Sequence, residues 1–376
     1  MSNIFTLKGH LAKRALSQGQ IFKNHFPTLL NEIRRIPLSS LPITAPRFVY
    51  YLGLPVIGSI YLKKHRALLE SHFKENYYEG LLALADGFKL KPAMLYGFAG
   101  FEPLSSKLPY TLGCCSITFS KESTQAGKPL LAYNHDFPDP FADFLFLKKN
   151  LPAKGYANLS MGYPPLLGAI AGVNECGLAM SLNHAYATDT YLNEGLPPTL
   201  IVQAALNECG SVKEAIDVIS QTPTTNGSMI TLLDASGDRA VIEVSATKKQ
   251  IRRPKNEIDV TLNKYQAPFM EEVEVPLQAM GKGIYQGHLI HEHNIKRRAR
   301  IDTLVNNQTQ PLPTSLIHQW LSDHEGGAGN LSTLCRHDNK TASTLTSLIA
   351  SPQDLSLDVI WGVACKGEYK KYSLIN

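Results

Sequence analysis

The chain has 376 residues, 44 % apolar and 18 % charged, with a net charge of only +5. This composition excludes a disordered chain and leaves a sizeable core for one large or two ordinary domains. The basic clusters Arg252-Arg253-Pro254-Lys255 and Lys296-Arg297-Arg298-Ala299-Arg300 lack interleaved aromatics, so they read as solvated faces and no nucleic-acid partner is expected.

Met1 to Leu30 carries polar and charged residues every few positions and has no apolar h-region, so the sequence predicts no signal peptide and a cytoplasmic protein. The most apolar run, Phe48 to Leu62, is interrupted by Gly53, Pro55 and Gly58, which excludes a transmembrane span and leaves core or an apolar pocket. Residues 1 to 100 read as mainly helical. Gly9 to Leu30 has helical spacing, Pro37 to Pro55 breaks it, and Lys63 to Leu84 reads as one amphipathic helix. Gly87 is its stop, and Lys91 to Gly97 starts a further short helix.

The character changes at Leu112-Gly113-Cys114-Cys115-Ser116-Ile117-Thr118-Phe119, answered by Leu130-Leu131-Ala132-Tyr133-Asn134-His135-Asp136. With the turn signal Ala126-Gly127-Lys128 between them, the two runs predict a β-hairpin. Pairing Ser120 near Lys128 sets Cys114 roughly opposite Asn134, at the ~5 Å spacing of antiparallel partners. A thiol, an amide and the Asp136 carboxylate then share one small volume. Further strands are expected at Leu166 to Ala171 and Leu178 to Asn183. Helices are expected at Thr199 to Leu206, from the capping-box form Ser211-Val212-Lys213-Glu214 onward, at Arg297 to Asn306 and at Thr314 to Asp323. Strands return at Ser228 to Leu233, Arg239 to Ser245, Val260 to Leu262, Leu345 to Ile349 and Leu355 to Cys365. Bunched strands separated by helix pairs predict α+β layers rather than βαβ alternation.

The six cysteines (114, 115, 176, 209, 335, 365) form no disulfide framework and no paired CxxC, so reduced thiols are expected. His291-Glu292-His293 and Cys335-x-His337 offer metal-ligand types without a recognised zinc spacing, so neither a metal nor any other cofactor is expected.

The order and spacing of several blocks resemble the N-terminal-nucleophile (Ntn) hydrolases. The isopenicillin-N acyltransferase family is the nearest branch, with choloylglycine hydrolase and acid ceramidase as cousins. The carrying residues are Gly113-Cys114-Cys115-Ser116, Tyr133-Asn134-His135-Asp136 and Gly172-Val173-Asn174-Glu175-Cys176-Gly177-Leu178 with the trailing Asn183. Later blocks are Thr231 to Glu243, Val260-Thr261-Leu262-Asn263-Lys264-Tyr265, Leu334-Cys335-Arg336-His337-Asp338 through Thr344-Leu345-Thr346-Ser347, and Gly362-Val363-Ala364-Cys365. Coverage is nearly the whole chain.

The resemblance implies a four-layer αββα sandwich with a mainly helical N-terminal segment. The chain would be made as a precursor that cleaves itself between Gly113 and Cys114, leaving residues 1–113 as a propeptide or small subunit and 114–376 as the catalytic domain. The freed α-amine, with a pKa of about 8, would activate the thiol carried by the same residue. Cys114 fits the nucleophile position because it follows Gly; Cys115 would lose that Gly and reads equally well as a small apolar residue. Asp136 would hold the new amine, and Asn183 and Asn263 would line the site as oxyanion donors. Arg300 would orient the site, with Arg298 as the alternative. Tyr133 and Asn134 would contact substrate. Tyr133 stands where the family has Arg, so a hydrogen-bond donor replaces a charge. Lys264-Tyr265 replaces the family His after Asn263. The implied activity is hydrolysis of a linear amide of an N-acyl substrate through a thioester. Alternatives are acyl transfer between CoA, or an amide, and an amine, or an uncleaved, non-catalytic protein that binds lipid or peptide. The excised segment would either be removed or stay with the catalytic part as a second subunit.

Overall fold

The computed structural model describes residues 3–35, 47–100, 113–190, 195–280, 287–325, 327–337 and 342–375. The N-terminal portion opens with a strand, β1 (Ile4–Gly9), that the helical reading missed. It is followed by α1 (Leu11–Phe22), α2 (Phe26–Arg35), α3 (Arg47–Ser71), α4 (Tyr77–Phe88) and α5 (Pro92–Ala99).

Two expectations for this portion are corrected. Pro55 lies inside α3 instead of ending a broken stretch. One lost backbone hydrogen bond is tolerated because α3 is clamped against α5 at Gly58, where a Cβ would lie 1.8 Å from the Ala93 carbonyl oxygen. The long helix over Lys63 to Leu84 is two helices. Asn76 restarts the chain, its side chain accepting the Glu79 N–H at 3.0 Å, an N-cap that the 63–84 reading passed over.

β1 runs parallel to β4 (Phe146–Pro152) at the edge of an eight-stranded sheet. Beyond β4 come β5 (Asn158–Gly162), β6 (Ala171–Asn174), β7 (Ala179–His184), β8 (Ser228–Leu233), β9 (Arg239–Val244) and β10 (Lys249–Arg252), all antiparallel neighbours. Of the strand expected at Leu166 to Ala171, only Ala171 lies in β6. A six-stranded sheet has the order β11 (Ile258–Thr261), β2 (Cys115–Phe119), β3 (Leu130–Phe137), β12 (Ser343–Ser351), β13 (Ser356–Trp361) and β14 (Lys370–Ser373).

The sheets pack face to face, and Ser116 on β2 is hydrogen-bonded across the interface to Ser181 (2.8 Å) and Asn183 (2.5 Å) on β7. Helices α6 (Pro198–Glu208) and α7 (Val212–Gln221) cover the outer face of the larger sheet. Helices α8 (Glu292–Asn306) and α9 (Thr314–Leu321) cover the other, bringing Ile301, Ile317 and Trp320 against Ile117, Phe119 and Leu130. The result is the expected α+β arrangement of helix, sheet, sheet and helix. With both faces covered, the β2 and β3 residues are nearly all buried, so their polar members must be paired internally. No described helix is long and apolar enough to cross a membrane.

The hairpin forms, one residue out of the expected register. Its ladder starts at Phe119–Leu130 because Lys128 is held in the turn by Thr124, so Cys115 and not Cys114 faces Asn134. A one-residue slip exchanges the two faces of a strand. It therefore decides what surrounds each cysteine.

Candidate active site

Cys114 precedes β2 and turns its side chain into the space between the sheets, where it is buried. Tyr133 and His135, two apart on β3 and hence on one face, reach it: Sγ lies 3.3 Å from the Tyr133 hydroxyl and 3.7 Å from His135 Nδ1. The Tyr133 hydroxyl has one proton, and the Leu182 carbonyl at 2.7 Å is its closer acceptor. The sulfur is its second acceptor within reach. His135 Nε2 pairs with the Tyr163 hydroxyl at 2.8 Å, and the ring stacks on Phe137. Burial pushes the Cys114 thiol up to about 11, with the Asp136 charge adding to the rise and the Tyr133 hydrogen bond opposing it. Burial alone holds His135 down at about 3, so the imidazole beside the thiol is neutral.

Cys115 projects to the other side, among Ile117, Phe119 and Leu334 under α9, and burial pushes its thiol up to about 12. Asn134 shares that side. Its amide nitrogen donates to the Leu321 and Leu334 carbonyls at 2.9 Å, and its oxygen accepts from Ser347. The expected meeting of Asn134 with the Cys114 thiol therefore does not occur; Asn134 instead pins the loop ahead of β12.

A buried charge cluster sits on the peptide bond before the thiol. Arg297 Nη1 donates to the Gly113 carbonyl at 2.7 Å and to the Cys114 carbonyl at 3.3 Å, and lies 3.4 Å from the Asp136 carboxylate. Its other terminal nitrogen donates to Asn263 (2.9 Å) and Asn294 (2.8 Å). Arg336 also lies 3.4 Å from Asp136, and Gly113 is where it needs room, since a Cβ there would fall 2.2 Å from its Nη1. Thr344 connects the parts, accepting the Arg336 N–H at 2.9 Å and donating to Asp136 at 2.7 Å. Burial pushes the Asp136 carboxyl up while both guanidiniums pull it back. Burial lowers Arg297 to about 10, with Arg336 adding to the drop. Two guanidiniums against one carboxylate leave the cluster poised for a further negative charge at the Gly113 carbonyl or at sulfur.

Arg300 is not part of it. It faces outward and forms a two-pronged pair with Asp323 (2.8 and 2.7 Å), while Arg298 pairs with Asp302 on the surface. The buried face of α8 is His293, Asn294, Arg297 and Ile301. Arg297 is one turn before the apolar Ile301, a periodicity that could have singled it out. Asn263 lies in the cluster, held between Arg297 and the His184 carbonyl. Asn183 is in the next layer, accepting from Ser116 and donating to the Thr261 carbonyl at 3.1 Å. His135 lies in the hairpin motif with nothing in its spacing to single it out, and Arg336 has no local signal, since nothing in Cys335-Arg336-His337 says that the arginine is buried.

Of the metal-ligand types, His291 binds the Val275 carbonyl and His293 binds Ser332, so they do not converge. Cys335 and His337 behave differently: with His324 and Cys365 they form a four-residue group whose ligand atoms all lie within 4.8 Å of one another. The sequence shows no zinc spacing around Cys335 and His337 because two of the four members come from other parts of the chain.

The family model described as acyl-coenzyme A:6-aminopenicillanic acid acyl-transferase matches residues 123–364, more than half of the chain. No curated protein sequence matches. Similar solved structures include a Caenorhabditis elegans N-acylethanolamine-hydrolyzing acid amidase ortholog, at 15 % identity and TM-score 0.44, covering 64 % of this chain and 93 % of that one. A single-residue variant of conjugated bile acid hydrolase from Clostridium perfringens has 12 % identity and TM-score 0.44, covering 69 % and 97 %. Penicillin V acylase from Agrobacterium tumefaciens has 14 % identity and TM-score 0.41, covering 69 % and 86 %.

Proposed function

The chain belongs to the acyl-coenzyme A:6-aminopenicillanic acid acyl-transferase family, and from that premise we propose a self-processing cysteine hydrolase of linear N-acyl amides, with Cys114 as nucleophile. The observation that carries this reading is the Gly113 carbonyl, held at 2.7 Å by the buried Arg297 guanidinium on the bond that would be cut. A carbonyl polarised this way accepts the negative charge of a tetrahedral adduct.

In processing, sulfur adds to the Gly113 carbonyl carbon, the thiol proton passes to the Cys114 nitrogen, and the C–N bond breaks to leave a thioester. Water then hydrolyses it, giving a Gly113 carboxylate and a free Cys114 amine. In turnover that amine takes the thiol proton and sulfur attacks the substrate amide. The amine product leaves with the proton, and water releases the acid. Tyr133 steadies the thiolate, Asp136 fixes Arg297, and Asn263 holds the guanidinium from the other side. The aromatic wall of Phe137, Phe141 and Tyr163 beside His135 suits an apolar acyl group. The family's description supports a second reading, acyl transfer, in which an amine replaces water at the thioester and CoA is a donor.

Residues 1–113 would remain attached after cleavage. β1 is paired along its length with β4, Gln18 donates to the Pro164 carbonyl at 2.7 Å, and Asn207 donates to Glu75 at 3.0 Å. The six cysteines are free thiols, in keeping with the reducing cytoplasm.

Intact mass of purified wild type, Cys114→Ala and Cys115→Ala tests the scheme. A break between Gly113 and Cys114 in wild type and Cys115→Ala, absent in Cys114→Ala, is expected. Full-length chain in all three after long incubation would overturn self-processing and move the weight to an uncleaved binding protein. A screen of N-acyl amides, with and without an added amine or acyl-CoA, then separates hydrolase from transferase.

A further inference from the structure

We propose that His324, Cys335, His337 and Cys365 form a tetrahedral zinc site that holds the loop ahead of β12 against the turn after β13. The ligand atoms come from three places: His324 follows α9, Cys335 and His337 flank Arg336, and Cys365 sits in the short helical turn Ala364–Lys366. His337 Nε2 is 3.0 Å from His324 Nε2 and 3.4 Å from Cys365 Sγ. Zinc bonds of about 2.3 Å to sulfur and 2.0–2.1 Å to nitrogen put tetrahedral ligands roughly 3.3–3.8 Å apart. The observed group, all within 4.8 Å, needs only small side-chain movements to reach that shape.

A hydrogen bond between the two imidazoles would account for one of these contacts. Cys335 and Cys365 also hydrogen-bond each other, weak sulfur contacts that four metal bonds would replace with the same residues. Two nitrogens and two sulfurs select zinc over harder cations. The surroundings fit a built site, since the loop backbone closes over His337 so tightly that a Cβ on Gly329 would lie 2.5 Å from the ring. Cys365 is exposed and gives an ion its way in.

The consequence reaches the charge cluster through the backbone. Arg336 lies between two ligands, its carbonyl accepts the Thr344 N–H at 2.8 Å, and its N–H is received by the Thr344 hydroxyl that binds Asp136. An ion at Cys335 and His337 would fix the segment that aims Arg336 at Gly113. The metal inference does not depend on Cys114 being a nucleophile, and its test reads metal rather than turnover.

Full-length protein, expressed with zinc and purified without chelator, is analysed by elemental analysis and native mass. About one zinc per chain is expected. Cys365→Ser and His324→Ala should each weaken retention on dialysis by more than the roughly 10-fold that losing an outer partner costs. Cys176→Ser, at an exposed thiol elsewhere, should retain zinc as wild type does. Cobalt exchanged into wild type should give the visible bands of a tetrahedral site with sulfur-to-cobalt charge transfer, and this spectrum decides the matter if the ligand variants fail to fold. Wild type without metal, a Cys335–Cys365 disulfide in fresh protein, or zinc retained by both ligand variants as tightly as by wild type would overturn the site.

Discussion

In the proposed scheme Arg297 is the residue on which the chemistry turns, and Arg300, which the family resemblance favoured, is its natural control. Arg297→Ala removes the donor on the Gly113 carbonyl and leaves Asp136 with one guanidinium. Loss of an oxyanion donor costs about 10²–10³ in rate. Cleavage of a freshly synthesised precursor, followed by mass, should slow by about that factor. Arg300→Ala breaks a partly exposed pair with Asp323, worth about 0.5–1 kcal/mol, and should leave the cleavage rate unchanged. Equal slowing in both variants would remove Arg297 from its role. Cys114 and Asp136 were legible together because a hairpin returns residues close in sequence to one another. Arg297 and Arg336 were not, since a buried arginine and a solvated one look alike until the helix face or loop that carries it is known. The placement of Asn134 failed for a smaller reason: two turn hydrogen bonds of Thr124 moved the ladder by one residue.

At the scale of elements, the two sheets were readable where strands are apolar and bounded by turns, and less so where they are short and polar. β1, Ile4–Gly9, has the alternating burial of an edge strand but depends on β4 for its hydrogen bonds, and no local signal announces so distant a partner. Under the proposed cleavage, this strand decides whether residues 1–113 are a leader or a lasting part of the molecule. The helices behind it are locked by glycines: a Cβ on Gly19 of α1 would lie 2.5 Å from the Leu84 carbonyl and 2.8 Å from Gly87 Cα in α4. Backbone cannot retreat as a flexible side chain can, so Gly19→Val should cost about 1–3 kcal/mol or more through overpacking. The same change should loosen the N-terminal part after cleavage. In size-exclusion chromatography the two wild-type fragments are expected to elute together, whereas Gly19→Val should shed the smaller one on mild denaturation. Separation of the wild-type fragments in native buffer would mean that the β1–β4 pairing does not outlast the peptide bond.

For the whole molecule, the interior between the sheets makes stability depend on acid in a definite direction. Burial depresses His135 to about 3 and His184 to about 4, from 6.5 for an exposed imidazole. Below pH 6.5 the unfolded chain takes up protons at both positions and the native chain does not, so stability present above 6.5 is lost as pH falls. Each group contributes a slope of about 1.4 kcal/mol per pH unit until its folded value is reached. Asp136 opposes the trend: burial raises its carboxyl in the native state, so it favours folding as pH falls through its raised native value. Burial raises Glu208, Glu243, Glu274 and Asp358 in the same way and lowers His65, His72, His291, His293 and His318 as it does His135 and His184, so seven imidazoles against five carboxyls leave a net loss toward acid. Urea unfolding of the uncleavable Cys114→Ala chain between pH 7 and pH 5 should show it, and the added change His135→Gln should flatten the slope by about 1.4 kcal/mol per unit. An unaltered slope would mean that His135 is charged in the folded protein. That would place a cation 3.7 Å from the thiol and give the precursor a means of activating Cys114 before any α-amine exists.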